Sequence, residues 1–172
     1  MKAVVLTISD RCYRGESPDE TGPRLREMLL KADIGVAEIL VVPDEVEKIK
    51  TEIVRLTDQV GVDVVITNGG TGFGPRDVTP EATDAVLHRR APGLAEAMRL
   101  GSLAHTPYAM LSRGTAGVRD KTLIVNLPGS PRGATECLEI ILPVLDHAVK
   151  MIAGGQHRGE DDGDGGSNSK AV

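Results

Sequence analysis

One stretch of the sequence joins a short aliphatic strand directly to a loop that contains four glycines. Residues 62–67 are mostly β-branched and aliphatic, which favours a buried strand. Gly69, Gly70, Gly72 and Gly74 follow, and Pro80 suits the first turn of a helix. Open α/β sheets bind their ligands where such loops leave the carboxyl ends of parallel strands. The stretch therefore restricts the fold to the α/β class and predicts a ligand site at this loop.

Aliphatic strands and amphipathic helices alternate along the rest of the chain. Residues 3–8, 36–42 and 123–127 are further predicted strands. Helices are predicted over residues 23–32, 46–60, 80–88, 94–104 and 133–152. Aromatic residues are only 2% of the chain, so the core has to be aliphatic, as it is around buried parallel strands. We therefore expect a three-layer α/β/α sandwich with a mostly parallel sheet.

The chain length and the composition of its end predict one domain and a tail. A chain of 172 residues corresponds to about one domain, and we place that domain at residues 1–153. Residues 154–172 are rich in glycine and acidic residues and have no apolar face to bury. Such a segment cannot offset the entropy lost on ordering, so a disordered acidic tail is predicted.

Charge and cysteine content exclude several functional classes. The net charge of -5 argues against a nucleic-acid partner, which normally meets a basic surface. Two cysteines are too few for a disulfide framework or a zinc site. The apolar run at residues 3–8 is too short for a signal peptide or a membrane span. We therefore expect a cytoplasmic protein without a membrane or nucleic-acid partner.

The glycine loop contains the first candidate ligand site, which would bind phosphate and a metal ion. Its backbone N–H groups and the helix that follows favour a bound anion, although the loop is neither a Walker A nor a dinucleotide-binding motif. Asp77 follows Arg76 directly before the predicted helix. A carboxylate beside bound phosphates calls for a cation, and Mg²⁺ is commonly held by one or two carboxylates plus phosphates. Alternatively, Asp77 is a helix cap.

A second aspartate follows the second predicted strand. Asp44 stands in the sequence Val-Pro-Asp-Glu at residues 42–45. From spacing alone a helix cap is the favoured interpretation, but capping and metal binding are compatible. If Asp44 and Asp77 come from neighbouring strand ends, they are predicted to share one magnesium ion.

Two other predicted strand ends also carry small or polar residues. Ser9 and Asp10 follow the first strand, and Pro128, Gly129 and Ser130 follow the last strand. Four strand ends of this kind at one edge of a sheet predict a single pocket. Three arginines near these loops are either phosphate ligands or solvated surface residues: Arg11, Arg76 and Arg132.

The combined motifs resemble the MoaB/Mog family of molybdenum cofactor biosynthesis proteins. The sequence TNGGTGFGPRDVTPEAT occurs with ISDR, VPDE, APGLAEAMR and LPGSP in the family order, over about residues 2–153. The last predicted helix is uninterrupted, as in the shorter MoaB form. The resemblance implies a Rossmann-type topology and a homotrimer or hexamer, with other proteins of the pathway as partners.

The resemblance also implies a reaction and the residues that serve it. The reaction is molybdopterin adenylyltransfer, in which AMP passes from Mg-ATP to the molybdopterin phosphate and pyrophosphate is released. Asp44 and Asp77 match the residues associated with magnesium and catalysis. The residues matching the substrate and nucleotide site are Ser9, Asp10, Gly69, Gly70, Thr71, Gly72, Pro128, Gly129 and Ser130. The alternative is a non-catalytic paralogue that binds molybdopterin or nucleotide, or a scaffold in the same pathway.

Overall fold

A six-stranded sheet forms the centre of the computed structural model, which describes residues 1–154. The strands are β1 Lys2–Ile8, β2 Gly35–Val42, β3 Val64–Asn68, β4 Arg89–Arg90, β5 Ala116–Arg119 and β6 Thr122–Leu127. Their order in the sheet is β2-β1-β3-β6-β5-β4, and only the β6–β5 and β5–β4 pairs are antiparallel. The predicted α/β class with a mostly parallel sheet is confirmed. The predicted tail lies, from residue 155 onward, outside the described residues.

Residues 1–154 form six α-helices, of which five lie between strands and the sixth follows β6. They are α1 Asp10–Tyr13, α2 Thr21–Lys31, α3 Val46–Val54, α4 Thr79–Asp84, α5 Pro92–Ser102 and α6 Pro131–Ile152. A π-helical turn, Arg55–Val60, continues α3, and a 3-10 helix, Pro107–Leu111, follows α5. None of the helices within residues 1–154 is long and apolar enough to span a bilayer.

Alternation along the strands places helices on both faces of the sheet. In β1, Ala3 and Val5 pack in an apolar cluster with residues of α2, α5 and α6. Val4 and Leu6 point the other way and pack with residues of α3 and α4. All four side chains are fully buried, and burial of each larger one contributes about 1.5–3 kcal/mol. The result is the predicted three-layer sandwich.

Two short helices, two strands and some helix ends differ from the sequence prediction; α1 and the 3-10 helix are not predicted. The strands β4 and β5 are not predicted, because two arginines and a four-residue segment containing Gly117 show no apolar alternation. The helix predicted over residues 80–88 ends at Asp84, so its last turn is wrong. The physical reason is that the His88 N–H donates to the Val118 carbonyl at 2.9 Å, which begins the pairing with β5.

The sheet order also corrects the prediction for the two aspartates. The parallel strands β2, β1, β3 and β6 end at the same edge, as a common pocket requires. However, β1 lies between β2, which precedes Asp44, and β3, which precedes Asp77. The two residues therefore do not come from neighbouring strand ends, and the residues after β1 lie between them.

An ion pair distant from this edge gives a testable contribution to stability. The Asp58 carboxylate accepts hydrogen bonds from Arg119 Nε and Nη2 at 2.9 and 2.6 Å, and from Thr57 Oγ1 at 2.6 Å. The Arg119 hydrogen bonds, aided by Thr57, lower the pKa of Asp58 to about 2. We expect Asp58→Asn to lower the free energy of unfolding by up to about 1 kcal/mol at neutral pH, since the pair is partly exposed.

The pH dependence of that loss distinguishes the ion pair from packing. Because the pKa is depressed on folding, the stabilisation is present above the ordinary aspartate pKa and is lost as the pH falls from about 4 towards about 2. Urea unfolding at a series of pH values measures the difference. Glu27→Gln, which removes an exposed pair with Lys31, serves as the control and is expected to cost less. If the difference in the free energy of unfolding between the wild type and Asp58→Asn stayed constant below pH 4, the stabilisation could not be assigned to the ion pair.

Candidate functional site

The ends of β1 and β2 are joined by a reciprocal pair of hydrogen bonds between two aspartates. The Asp10 N–H donates to Asp44 Oδ2 at 2.7 Å, and the Asp44 N–H donates to Asp10 Oδ1 at 3.1 Å. From the glycine loop, Arg76 Nε and Nη2 donate to the same Asp10 carboxylate at 3.0 and 2.9 Å. The residues predicted after three different strands thus meet in one cluster. In this arrangement Arg76, a candidate for either a phosphate ligand or a solvated surface residue, is bound to Asp10.

The two carboxylates of this pair differ in their electrostatics. The Arg76 hydrogen bonds hold the pKa of Asp10 below its ordinary value despite some desolvation. Burial raises the pKa of Asp44, and the negative charges of Asp10 and Asp77 raise it further. A cation beside Asp44 would favour its ionised form, because it would offset both the desolvation and the like charges.

Asp77 is held by the loop that contains it. Its Oδ2 accepts a hydrogen bond from the Gly74 N–H at 2.7 Å, and its own N–H donates to the Gly74 carbonyl at 3.0 Å. A Cβ atom at Gly72 or Gly74 would lie 2.9 or 2.8 Å from the same Oδ2. These two glycines therefore provide room for the Asp77 carboxylate.

Neither aspartate caps the helix that follows it. The residue preceding α3 is Glu45 and the residue preceding α4 is Val78, and no side chain accepts a capping hydrogen bond at either position. The helix-cap alternative is therefore wrong for both Asp44 and Asp77. Each uses Oδ2 to bind a backbone N–H, and within residues 1–154 neither Oδ1 atom has a hydrogen-bond partner.

This donor set fits a magnesium ion that is completed by substrate. Among residues 1–154, no group of three or more His, Cys, Asp or Glu side chains is arranged to hold a metal. Mg²⁺ does not need one, because it is usually bound by one or two carboxylates together with phosphates and water. The Oδ1 atoms of Asp44 and Asp77 supply carboxylates of that kind.

Gly69 lies where the ends of three strands meet. It has a φ of 102°, and a Cβ atom there would lie 2.2 Å from the Ile8 carbonyl oxygen at the end of β1. Its N–H donates to the Leu127 carbonyl at 3.2 Å, at the end of β6. Thr79 Oγ1 donates to its carbonyl at 2.8 Å, and a Cβ at Gly129 would lie 3.2 Å from its Cα. The first glycine of the loop thus brings the predicted residues after β1, β3 and β6 together.

A mostly apolar cavity of about 360 Å³ adjoins the loop. Four of the predicted site residues line it: Thr71, Gly72, Pro128 and Ser130. Its remaining walls come from α5, the 3-10 helix and α6, together with Asn126 of β6 and the loop residues Thr106, Ser112 and Gly114. Asp44 and Asp77 do not line it, whereas Gly72 lines the cavity and also lies against the Asp77 carboxylate, so the glycine loop borders both the cavity and the acidic cluster.

The two predicted serines cap helices. Ser9 Oγ accepts a hydrogen bond from the Cys12 N–H at 3.3 Å and caps α1. Ser130 Oγ accepts one from the Gly133 N–H at 3.2 Å and caps α6. Both hydroxyl groups accept in these contacts, so each keeps its own proton to donate to a ligand.

The remaining predicted phosphate ligands and the only phenylalanine lie on the surface. Arg132 Nε donates to Glu136 Oε1 at 2.7 Å, and Arg11 is exposed. Phe73 in the loop is 70% exposed, and the Arg113 guanidinium lies 6.0 Å from the centre of its ring. Phe73 therefore does not pack the loop against the body of the protein.

Sequence reasoning missed two residues that support these loops. Asp19 accepts hydrogen bonds from the N–H groups of Thr21 and Gly22 and from Thr7 Oγ1 at the end of β1. A capping signal, an acidic residue just before a predicted helix, points to Asp19. Arg113 binds the glycine loop from a distant segment, and no local pattern in the sequence indicates that contact.

Comparison with known proteins decides the family. A family model described as a probable molybdopterin binding domain matches residues 4–147. The chain belongs to this family. The molybdopterin adenylyltransferase of Helicobacter pylori is 41% identical over 152 residues, which cover 87% of this chain and 86% of the relative. That of Escherichia coli is 42% identical over 137 residues, covering 78% and 70%.

A solved structure of the same family matches the fold. The molybdopterin biosynthesis enzyme MoaB of Thermus thermophilus is 52% identical, with a TM-score of 0.85 over 89% of this chain and 96% of that one. The family predicted from the motifs is therefore confirmed. The continuous helix α6 agrees with the resemblance to the shorter MoaB form.

Proposed function

We propose that this chain is a molybdopterin adenylyltransferase, which transfers AMP from ATP to the phosphate of molybdopterin and releases pyrophosphate. Relatives that carry this name match most of the chain at about 41% identity, which supports the proposal. The structural observation that carries it is a glycine loop that borders both a cluster of Asp carboxylates and an apolar cavity.

The apolar cavity and the acidic cluster beside the loop suit the ring system and the phosphates of such substrates, respectively. Ligand sites of about 300–1,000 Å³ are typically apolar with a few placed polar groups, and the cavity beside Thr71 falls in that range. We assign it to the ring system of a substrate. The loop and the acidic cluster are assigned to the phosphates, with Asp44 and Asp77 as the residues that would hold magnesium. When bound, the ion would neutralise charge on the α-phosphate and on the departing pyrophosphate.

The residues of the chain position reactants and do not supply a nucleophile. In the proposed step, a phosphate oxygen of molybdopterin forms a bond to the α-phosphorus of ATP, and the bond from that phosphorus to the pyrophosphate oxygen breaks. The attacking oxygen is already anionic, so no strong general base is required. Orientation by the glycine loop and electrostatic stabilisation by Arg76 and the backbone N–H groups are the contributions expected from the protein.

Turnover is tested by anaerobic incubation with molybdopterin, ATP and Mg²⁺, followed by measurement of pyrophosphate. We expect pyrophosphate only when all three are present, and none after EDTA is added. If molybdopterin binds and no pyrophosphate appears, the enzyme proposal fails and the non-catalytic alternative replaces it.

We also propose that the chain associates with itself as a trimer or hexamer. Large apolar side chains are exposed on α5, the 3-10 helix and α6, which supports an interface there: Leu100, Tyr108, Met110, Val144 and Met151. Sedimentation velocity gives the oligomeric state, and a monomer at all concentrations would contradict it. The cytoplasmic location and partners within the pathway stay predictions.

A further inference from the structure

Arg113 donates hydrogen bonds to three backbone carbonyl groups of the glycine loop. Its backbone N–H donates to the Thr71 carbonyl at 2.9 Å. Its guanidinium donates from Nε to the Gly72 carbonyl at 2.6 Å and from Nη2 to the Asp77 carbonyl at 2.5 Å. It also forms an ion pair with Glu81 on α4. One residue thus joins both ends of the segment that contains Asp77 to the helix that follows.

Few other hydrogen bonds define the shape of this segment. The Asp77 N–H and carboxylate both bind Gly74, which closes a small turn but does not attach the turn to the rest of the protein. The bond from the Thr79 N–H to the Gly70 carbonyl closes the base of the loop. Between these points, two arginines attach the segment to the rest of the protein: Arg76 binds the Asp10 carboxylate after β1, and Arg113 binds the carbonyl groups of Gly72 and Asp77.

A second arginine supports Arg113 from α5. Arg99 Nη1 donates to the carbonyls of Ser112 and Gly114, the two residues that flank Arg113, at 3.4 and 2.9 Å. The contacts therefore run from α5 through residues 112–114 to the glycine loop. The Arg113 side chain is 30% exposed and that of Glu81 is 53% exposed, so the ion pair alone contributes little to stability. The guanidinium instead holds the loop because its planar group directs several N–H donors at fixed angles to separate acceptors.

We propose that Arg113 is a positioning residue that sets the shape of residues 71–77 and thereby places the Asp77 carboxylate for the nucleotide and its magnesium. This inference rests on the proposed function. Arg113 acts through the loop backbone and not on the reacting atoms, because four of its five N–H donors are occupied by protein carbonyls and the Glu81 carboxylate.

Replacement of Arg113 by Gln tests the proposal. Misplacement by about 1 Å costs on the order of 100-fold in rate, and we expect a decrease of that size in kcat. We also expect the Mg²⁺ concentration for half-maximal activity to rise by about 10-fold, because the carboxylate is displaced. Arg113→Lys should recover only part of the activity, since an ammonium group cannot reach all of these acceptors together.

The control is Arg55→Gln, which removes an arginine of similar exposure that pairs with Glu52 and Glu38 away from the loop. It is expected to leave kcat and the Mg²⁺ dependence unchanged. If wild-type protein turns over and Arg113→Gln matches it in both, the positioning role is overturned. Hydrogen exchange provides a test that needs no turnover: the backbone amides of residues 72–74, 76 and 77 should exchange faster in Arg113→Gln than in Arg55→Gln. Equal exchange in the two variants would overturn the role even if the proposed function has already failed.

Discussion

Replacement of Asp77 by Asn is expected to reduce turnover by at least about 100-fold while the fold is retained. The amide oxygen of Asn can still accept the Gly74 hydrogen bond that holds the turn, so the shape of the loop is preserved. The negative charge that would hold magnesium is removed. Pyrophosphate release measures the loss, and the free energy of unfolding is expected to change by less than about 0.5 kcal/mol.

The matched control is Asp146→Asn, which removes a carboxylate from the exposed pair with Lys150 on α6. Its turnover should equal that of the wild type. Raising the Mg²⁺ concentration is expected to recover part of the activity of Asp77→Asn, because a weakened site still binds metal at higher concentration. Normal turnover in Asp77→Asn would remove this residue from the mechanism.

Replacement of Gly69 by Ala is expected to be the most destabilising single change in the loop. An alanine at φ 102° is strained, and its Cβ would lie 2.2 Å from the Ile8 carbonyl oxygen. That oxygen belongs to the backbone of β1 and cannot rotate away, so the ends of β1 and β3 have to separate. Strain and displacement together should cost about 3 kcal/mol or more, a large part of the 5–15 kcal/mol typical of a domain.

Gly93→Ala on α5 provides the comparison for that measurement. A Cβ atom there meets no other atom within 4 Å, and the residue is helical, so the change should be neutral or stabilise by up to about 1 kcal/mol. Urea unfolding of both variants measures the difference. Equal stability of Gly69→Ala and the wild type would contradict the close contact between residue 69 and the Ile8 carbonyl.

The parts of the fold that follow from local patterns were predictable. The strands β1, β3 and β6 are continuous buried runs, and α6 has a long amphipathic repeat. The strands β4 and β5 depend on pairing with β6, and a two-residue strand of exposed arginines leaves no hydrophobic pattern. Strand order is also a property of the whole sheet, which is why Asp44 and Asp77 were wrongly assigned to neighbouring strands.

The candidate site was predictable by position but not by contact. Loops at strand ends indicated which residues meet at one edge, and Asp10, Asp44 and Arg76 do meet there. The sequence did not indicate that Arg76 binds Asp10, or that Arg113 holds the loop from 36 residues beyond Asp77. Such side-chain partners depend on distances between elements remote in the chain, and spacing carries no information about them.

The mass of the pterin product tests the proposed function most directly. After anaerobic incubation with molybdopterin, ATP and Mg²⁺, we expect molybdopterin with an added adenylyl group, formed one for one with pyrophosphate, and much less of both with Asp77→Asn. Molybdopterin that binds and is recovered unchanged, with ATP intact, would contradict it.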